Sequence, residues 1–262
     1  MGGKLRRTAG RALTGFQAFG VDPVRTLRGV RNIPRYLRDL ARYRRAAAGG
    51  QFPLRLASLF PVLADYDDAA GETRSHYFHQ DLWAARRVFA ARPAEHVDVG
   101  SRIDGFVAHL LTFMPVTVLD IRALESNVEG LTFVQSDATD LARFPDASVG
   151  SISSLHAVEH FGLGRYGDPV DGEACFRAMR SLARVLAPGG RLYFSVPVGR
   201  ERVAFNAHRI FDPHTVLSAF AGLELVSFAA VDDQGNLRAG LAPGDVASAE
   251  FACGLFEFTR AS

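Results

Sequence analysis

The stretch that decides the fold is His96-Val97-Asp98-Val99-Gly100-Ser101-Arg102-Ile103-Asp104-Gly105-Phe106. Its first half predicts a short β-strand that ends at Gly100, and the residues from Gly105 onward predict a helix. A glycine at such a turn lets the backbone approach a ligand closely, and the helix beyond it presents unpaired N–H groups. The turn is therefore a candidate binding loop.

A second predicted strand, residues 116–121, carries an acidic residue, Asp120, fifteen residues after Gly105. An acidic side chain in this position can accept hydrogen bonds from both ribose hydroxyls, which indicates an adenosine-containing cofactor. Gly100 and Gly105 also match the outer glycines of the dinucleotide pattern G-x-G-x-x-G. Arg102, however, stands where a middle glycine would let the backbone lie against a pyrophosphate. An NAD-linked oxidoreductase is thus a hypothesis that requires the Arg102 side chain to turn away.

The rest of the chain alternates between strand-like and helix-like stretches, which is typical of an α/β fold with helices on both faces of a parallel sheet. We predict seven strands, at residues 96–100, 116–121, 131–135, 149–154, 190–196, 223–230 and 251–259. We predict helices at residues 80–91, 105–113 and 172–186, with shorter ones near 138–143 and 213–220.

The predicted helix 172–186 has recognisable ends. Asp171 is a candidate N-cap, and Pro188-Gly189-Gly190 follows the last apolar residue. Cys175 falls on the apolar stripe of this helix, so we interpret it as a packing residue.

Four segments of the chain resemble the class I S-adenosylmethionine-dependent methyltransferases. Asp98-Val99-Gly100-Ser101 looks like their first motif, Asp120 like their ribose-binding acid, and Gln135-Ser136-Asp137-Ala138 like their adenine-edge segment. The most specific segment is 182–197, LARVLAPGGRLYFSVP, which is similar to their helix, Pro-Gly-Gly turn and fifth strand. The chain departs from the usual first motif, D/E-x-G-x-G-x-G, because Arg102 replaces one glycine and an additional residue precedes Gly105.

This resemblance covers about residues 80–262 and points to an uncharacterised, bacterial-like branch of the family. It implies a Rossmann-like, doubly wound, mostly parallel sheet, S-adenosylmethionine as cofactor, and methyl transfer as the reaction. The cofactor residues that it implies are Asp98, Gly100, Ser101, Gly105, Asp120, Ile121, Asp137, Ala138 and Leu155.

The resemblance also places the methyl donor at the ends of the first and fourth strands, beside the segment 153–161. Methyl transfer requires the protein to align the acceptor and, for a hydroxyl acceptor, to accept its proton. Histidine suits that role near neutral pH, so His156 is the first candidate base, with Glu159 and His160 orienting it or lining the acceptor pocket. A structural role for these side chains is the alternative. We expect no metal ion, because no carboxylate cluster accompanies them.

The candidates for contacting the acceptor are two further segments, 75–81 and 205–211, and the glycine-rich loop 162–169. His76 and His79 have the spacing of half a metal site, but without further ligands we interpret them as packing residues. The loop 162–169 lacks the Lys-Ser/Thr ending of a phosphate-binding loop, and 205–211 follows the fifth strand. The candidate substrate residues are Arg165, Tyr166, Asn206, His208 and Arg209. The acceptor predicted from the histidines is a small molecule or a sugar or glycan hydroxyl.

Composition places the chain among ordinary globular proteins, with 48% hydrophobic and 22% charged residues. The longest apolar runs are too short to span a membrane. The two cysteines are isolated, which fits a reducing compartment. We divide the chain into an arm (1–50), a linker and pocket-covering segment (51–79) and a methyltransferase-like domain (80–262).

The arm is strongly basic. Residues 1–50 contain 12 lysines or arginines and two acidic residues, whereas the rest of the chain contains 18 and 26. Seven arginines between Arg25 and Arg45 recur every three or four residues, and Pro34 is expected to divide them between two short helices.

Such an arm can bind an anionic membrane surface or another polyanion, which would place the protein in the cytoplasm at the inner face of a membrane. A solvated extension and a cleaved organellar presequence are alternatives, and no motif argues for nucleic acid. A catalytically silent binding module that docks through the arm is the second hypothesis for the whole chain.

Overall fold

In the computed structural model, which describes residues 19–261, the chain divides into two units between Gly71 and Glu72. The first unit contains helix α1 (Pro23–Ala46) and a single 3₁₀ turn (Leu56–Ser58). The second contains the sheet and the other helices. The sequence-based boundaries at residues 50 and 79 stay predictions.

Helix α1 is continuous through Pro34, so the predicted division into two short helices is wrong. A proline inside a helix removes one hydrogen bond and costs about 3 kcal/mol. The flanking arginines, leucines and alanines favour helix strongly enough to continue it. Its start is fixed by Asp22, whose side chain accepts a hydrogen bond from the Arg25 N–H at 2.9 Å.

One side of α1 packs within the first unit, and the other side is exposed. Gly29 is the buried residue of the helix, and Asn32 donates to the Leu63 carbonyl at 3.0 Å. The exposed side carries a stripe of apolar residues, Leu27, Val30, Ile33 and Leu37, and next to it a stripe of arginines, Arg31, Arg35, Arg38 and Arg42. The exposed side is therefore amphipathic.

The second unit is built on an eight-stranded sheet in the order β3-β2-β1-β4-β5-β10-β8-β9. Its strands are β1 (His96–Val99), β2 (Val116–Asp120), β3 (Leu131–Gln135), β4 (Val149–Leu155), β5 (Leu186–Val198), β8 (Glu224–Val231), β9 (Leu237–Ala239) and β10 (Ala252–Thr259). A separate hairpin pairs β6 (Arg202–Ala204) with β7 (His208–Ile210). The first five strands are parallel, and β10 runs antiparallel to β5 and β8.

The α/β class and the mostly parallel sheet are confirmed, and the number of strands is corrected from seven to eight. The additional strand, β9, forms a hairpin with β8. The Asp232 carboxylate closes the connecting turn by accepting hydrogen bonds from the N–H groups of Gln234 and Asn236, at 3.0 and 2.9 Å. Three exposed residues give β9 no apolar pattern from which a strand is predicted.

Four helices accompany the sheet: α2 (His76–Ala91), α3 (Ala108–Leu110), α4 (Ala174–Val185) and α5 (Pro213–Ala219). A turn of π-helix, Ile103–Val107, precedes α3, and residues 138–143 form turns instead of the predicted helix. Helix α2 begins earlier than predicted because Ser75 caps it, accepting a hydrogen bond from the Phe78 N–H.

Helix α4 begins at Ala174, so Asp171 is not its N-cap. The Asp171 carboxylate instead accepts from the Glu173 N–H at 2.8 Å and pairs with Arg177 at 2.6 Å. It therefore closes the turn that leads into the helix. Cys175 is fully buried in the apolar core beneath α4, in agreement with the packing interpretation.

Two apolar cores cover the two faces of the sheet, which makes the sheet doubly wound. One core packs α4 and α5 against Val97, Val99, Phe194 and other inward residues, and the second packs α2 against Val116, Val118 and Leu255. Successive residues of each strand alternate between the cores, as the twofold period of a β-strand requires. The helices therefore bury both faces and leave the carboxyl ends of the parallel strands for function.

The chain order reverses between β1 and β4, so their carboxyl ends flank the topological switch point where α/β sheets bind ligands. A buried polar network joins these two strands. The Asp98 carboxylate accepts hydrogen bonds from the Ser101 N–H (3.0 Å), the Ser101 hydroxyl (2.6 Å) and the Ser153 hydroxyl (2.5 Å). His96, also on β1, lies 2.8 Å from the Ser153 hydroxyl and 2.7 Å from that of Ser151.

Burial sets the ionisation of this network. It lowers the pKa of His96 to about 3, so the imidazole is neutral. It raises the pKa of Asp98 from 3.8 to about 6, although the hydrogen bonds from Ser101 and Ser153 oppose the shift.

The raised pKa of Asp98 predicts how stability depends on pH. Between pH 3.8 and about 6, the folded chain keeps a proton that the unfolded chain has lost. The free energy of unfolding therefore falls as the pH rises through this window. Asp98→Asn removes the titration, so its stability relative to the wild type should increase across the window, by roughly 3 kcal/mol in all.

Urea unfolding of both proteins at a series of pH values measures this difference. The exposed acid Asp146 offers a matched control, Asp146→Asn, for the general loss of a carboxylate. A stability difference between Asp98→Asn and wild type that stays constant from pH 4 to 7 would contradict the prediction.

Candidate functional site

A cleft lies at the carboxyl ends of the parallel strands. Its empty volume is about 1070 Å³, including space open to solvent, which is large enough for a nucleoside-sized ligand. The predicted site residues that line it are Gly100, Asp120, Ile121, Asp137, Ala138, His156, His160 and Tyr166. The cleft thus collects residues from the ends of β1, β2, β3 and β4.

Gly100 forms the floor of the cleft where β1 ends. Its φ of +71° lies in the left-handed region, which favours glycine. A Cβ atom here would lie 3.0 Å from the Ala157 Cβ, so the loops after β1 and β4 approach closely. This close approach is what the sequence predicts for a glycine in a binding loop.

Four residues predicted to bind the cofactor do not line the cleft: Asp98, Ser101, Gly105 and Leu155. Ser101 is buried, and its hydroxyl accepts a hydrogen bond from the Leu155 N–H at 3.1 Å while donating to Asp98. Gly105 packs against α2, because a Cβ atom there would lie 2.2 Å from a carboxylate oxygen of Asp81. These residues therefore support the loop after β1 from the side away from the cleft. Their direct contact with a cofactor stays a prediction.

Asp120 is held by an arginine that the sequence analysis did not single out. Arg122 donates to its carboxylate through Nε (2.9 Å), a terminal nitrogen (2.6 Å) and the backbone N–H (2.8 Å). The guanidinium also lies 4.6 Å from the centre of the Tyr166 ring. The pair fixes the carboxylate at the cleft wall. Arg122 occupies three of the four lone-pair positions of the carboxylate and leaves one, so a second ribose hydroxyl has to replace one of the bonds from Arg122.

Arg102 lines the cleft, at the position where the sequence lacks a glycine. Its guanidinium donates to both carboxylate oxygens of Asp104, at 3.1 and 2.8 Å, and lies 5.1 Å from the Tyr77 ring centre. The exposed ion pair with Asp104 raises the pKa of Arg102, so the side chain stays cationic. A positively charged side chain therefore lies beside the loop that follows β1.

Asp137 and Ala138 follow β3, on the wall of the cleft next to Asp120. The Asp137 carboxylate accepts from the Thr139 N–H at 2.8 Å, which fixes the turn. Thr139 also lines the cleft, and the sequence analysis did not identify it. The position at the end of β3 is the one that the adenine-edge resemblance predicts.

His156 stands at the end of β4 in a left-handed conformation, with φ of +50°, that is uncommon for a residue with a side chain. Its N–H donates to the Ser195 carbonyl on β5 at 2.9 Å, which holds it there. Its Nδ1 atom donates to the Glu159 carboxylate at 2.6 Å, and its side chain is only 5% exposed. The structure thus brings His156 and Glu159 together as the sequence predicts, with Glu159 behind the ring and outside the cleft lining.

The charge on His156 reflects two opposing effects. Burial of the ring lowers its pKa, whereas Cys253 and Glu159 raise it, and the net shift is upward. Because Nδ1 is committed to Glu159, the ring can bind any further partner only through Nε2, which has no hydrogen-bond partner among the described residues.

His160 and two of the predicted substrate residues are engaged with backbone carbonyls. His160 Nδ1 and an Arg165 guanidinium nitrogen both donate to the Ala207 carbonyl, at 2.6 and 3.2 Å. Arg209 donates to the Phe161 carbonyl at 2.6 Å. These bonds tie the loop after β4 to the β6–β7 hairpin.

The remaining substrate candidates are divided. Tyr166 lines the cleft, whereas Arg165, Asn206, His208 and Arg209 do not. Asp168, which was not predicted from the sequence, lines the cleft and accepts hydrogen bonds from the N–H groups of Gly162 (2.6 Å) and Tyr166 (3.2 Å). An aspartate that ends a glycine-rich stretch is a known turn signal and offered a way to find it.

The chain resembles several known proteins in fold, and one family model matches part of it. A family model described as "Caenorhabditis protein of unknown function, DUF268" matches residues 122–240, and no curated protein sequence matches the chain. Among solved structures, the [4+2]-cyclase SpnF is 16% identical with a TM-score of 0.51, over 82% of this chain and 91% of that chain.

Two methyltransferase structures are also similar. A putative sarcosine dimethylglycine methyltransferase from Galdieria sulphuraria is 13% identical with a TM-score of 0.51, over 70% of this chain and 86% of that one. The N-methyltransferase NodS from Bradyrhizobium japonicum WM9, in complex with S-adenosyl-L-homocysteine, is 15% identical with a TM-score of 0.48, over 76% and 92%. The two structures with TM-scores of 0.51 show that the chain has a Rossmann-like fold, as the sequence resemblance predicts.

Proposed function

We propose that this chain binds S-adenosylmethionine and transfers its methyl group to a small molecule. The observation that carries the proposal is the Asp120 carboxylate at the end of β2, on the wall of the cleft that opens at the switch point. Gly100, Asp137 and Ala138 line the same cleft, whose empty volume of about 1070 Å³ can hold an adenosine. When bound, S-adenosylmethionine supplies an electrophilic methyl group, and the chain supplies the position and the acceptor site.

Arg102 favours S-adenosylmethionine over NAD. The dinucleotide carries a pyrophosphate that needs backbone N–H groups in close approach at this loop, and a long side chain obstructs that approach. S-adenosylmethionine carries no pyrophosphate, and its methionine carboxylate is a suitable partner for a cationic side chain. The ion pair between Arg102 and Asp104 is exposed, so exchanging partners costs little.

Substitution of Asp120 tests the cofactor assignment. Each lost hydrogen bond to a charged acceptor is worth about 1.5–3 kcal/mol, so Asp120→Ala should weaken S-adenosylmethionine binding at least about tenfold. Isothermal titration calorimetry of the full chain measures the affinity, and Asp146→Ala is the control for loss of an acid outside the cleft. Absence of binding to the wild type, or displacement of the ligand by NAD, would refute the assignment.

For the acceptor, we propose a small or sugar-like hydroxyl compound and therefore O-methylation. His156 supports this, because the residue lines the cleft, Glu159 orients its ring, and its Nε2 has no hydrogen-bond partner among the described residues. Since the pKa of the ring is raised, Nε2 must lose its proton before it can act as a base, so we expect transfer to quicken as the pH rises. A hydroxyl is a poor nucleophile until a base accepts its proton, and a carboxylate–imidazole pair is a common way to provide that base. Tyr166, Tyr77 and His160 border the same part of the cleft.

Loss of the His156 imidazole should separate binding from chemistry. We expect His156→Gln to bind S-adenosylmethionine as the wild type does, while the rate of transfer falls by about 10²–10⁴-fold, the usual contribution of a general base. Formation of S-adenosylhomocysteine with panels of phenol, sugar and amine acceptors measures the rate. His214→Gln, at an exposed histidine on α5, is the control. A full rate in His156→Gln, or turnover confined to amines, would overturn the O-methylation proposal.

We further propose that α1 binds anionic phospholipid, which would place the protein peripherally on a cytoplasmic membrane face. The apolar stripe of α1 suits insertion at the lipid interface, and the adjacent arginines suit the headgroups. Among residues 19–261, Arg31 and Arg38 have no acidic side chain within ion-pair distance, so their charges are available. No helix in the same range is long and apolar enough to cross a bilayer.

Charge reversal on α1 tests this docking. Each basic residue near an anionic surface contributes about 1 kcal/mol, so the double variant Arg31→Glu and Arg38→Glu should weaken binding by at least about thirtyfold. Co-sedimentation with phosphatidylserine and phosphatidylcholine vesicles measures it, with Arg86→Glu and Arg143→Glu as the double control. We expect binding to phosphatidylserine that weakens with salt. Equal binding to both lipids, or to both double variants, would contradict the proposal.

The same measurements distinguish an enzyme from a catalytically silent binding module. A silent module predicts vesicle binding without measurable affinity for S-adenosylmethionine. The enzyme that we propose shows both.

A further inference from the structure

Three potential metal ligands from distant parts of the chain meet beside the cleft. His76 begins α2, His156 follows β4, and Cys253 lies on β10. One ring nitrogen of each histidine and the Cys253 sulfur lie within 4.8 Å of one another. In sequence these residues form no motif, and His79, which the spacing pairs with His76, is not part of the cluster.

The Nε2 nitrogen of His156 is buried without a hydrogen-bond partner among the described residues. The side chain as a whole is only 5% exposed. A buried polar atom without a partner costs about 1–3 kcal/mol, which a ligand at this position would offset. Because Nδ1 donates to Glu159, Nε2 is the atom that remains for the cluster.

The contact between Glu159 and His156 is the arrangement that usually supports a metal-bound histidine. In such sites a carboxylate accepts the proton of the other ring nitrogen, which fixes the tautomer and the ring orientation. The Glu159 to Nδ1 distance of 2.6 Å meets that condition before any ion binds. Glu159 is itself buried, so this support is built into the fold.

The other two ligands are held loosely enough to move. Cys253 is fully buried, and the contacts of its sulfur, to Gln80 Oε1 at 4.0 Å and to the Gly254 carbonyl at 3.9 Å, are long. The His76 ring stacks between the rings of His156 and Phe251, with centroid distances of 5.4 and 5.1 Å. The donor atoms lie within 4.8 Å of one another and must move closer to reach one ion, which rotation of these two side chains would provide.

We propose that His76, His156 and Cys253 bind a zinc-class divalent ion. Two imidazoles and one thiolate are a set that borderline-soft metals prefer over the oxygen ligands of Mg²⁺ or Ca²⁺. Three protein ligands leave a fourth tetrahedral position for water or another small ligand, and His156 also lines the cleft. An ion on Nε2 excludes proton acceptance by the same atom, so the base role of His156 belongs to the metal-free chain.

Zinc binding to the full chain tests the proposal without reference to methyl transfer. Chain stripped with a chelator is titrated with Zn²⁺ against a chromophoric chelator, and with Co²⁺ followed by visible spectroscopy. We expect one ion per chain, a tetrahedral cobalt spectrum and a thiolate-to-cobalt charge-transfer band. His76→Ala and Cys253→Ser should lose the site, and Cys253→Ser should lose the charge-transfer band.

Matched variants distinguish loss of a zinc ligand from loss of any histidine or cysteine. His79→Ala, one turn along α2, and Cys175→Ala, the other cysteine, should bind Zn²⁺ as the wild type does. Glu159→Gln should bind about 10–100-fold more weakly, as loss of a supporting carboxylate does at other sites. His76 is partly exposed, so His76→Ala is the variant that folds most readily if Cys253→Ser does not. Failure of the wild type to bind one ion tightly, or unchanged binding in His76→Ala, would overturn the proposal.

Discussion

The buried carboxylate of Asp98 is the constraint on which the rest of the site depends. It lies one residue before the end of β1, accepts hydrogen bonds from Ser101 and Ser153, and so ties the loop after β1 to strand β4 at the point where the chain order reverses. Burial makes its charge costly, and this cost explains its raised pKa. With these bonds in place, Gly100 lines the cleft and Ser101 is buried.

Position in the sheet explains the rest of the cleft. Because the parallel strands end together, Asp120 after β2, Asp137 after β3 and His156 after β4 stand around one opening, although they are far apart in sequence. Each of these side chains is held by a hydrogen bond. Asp120 accepts one from Arg122, Asp137 accepts one from the Thr139 N–H, and His156 donates one to Glu159. The sheet positions the side chains, and these short-range bonds orient them.

The sequence predicts the parallel part of this fold well, because β1 to β5 are short stretches rich in valine, leucine, isoleucine or phenylalanine that are followed by turn residues. It also predicts that Asp120, Asp137 and His156 share one end of the sheet. It does not distinguish Asp98, which points into the core, from Asp120, which points into the cleft, since both are acids at strand ends. Strand β9 lies at the sheet edge with three exposed residues, so it has no apolar pattern.

Two kinds of contact could not be predicted from the sequence: a pairing of near neighbours that depends on side-chain conformation, and a cluster of residues from distant segments. The pairing of Arg122 with Asp120 depends on a rotamer, and the cluster of His76, His156 and Cys253 depends on how α2, β4 and β10 pack. In α1, the helix-favouring residues around Pro34 outweigh the local cost of the proline, which a rule about single residues does not capture.

A fold shared with both a [4+2]-cyclase and a methyltransferase does not determine the chemistry, so the function depends on the ligand that the cleft holds. The most direct measurement is a crystal structure of the chain grown with S-adenosylhomocysteine. We expect the ribose hydroxyls on the Asp120 carboxylate, the adenine beside Asp137 and Ala138, and the sulfur directed toward His156. Density for the ligand elsewhere, or a cleft that stays empty at saturating ligand, would contradict it.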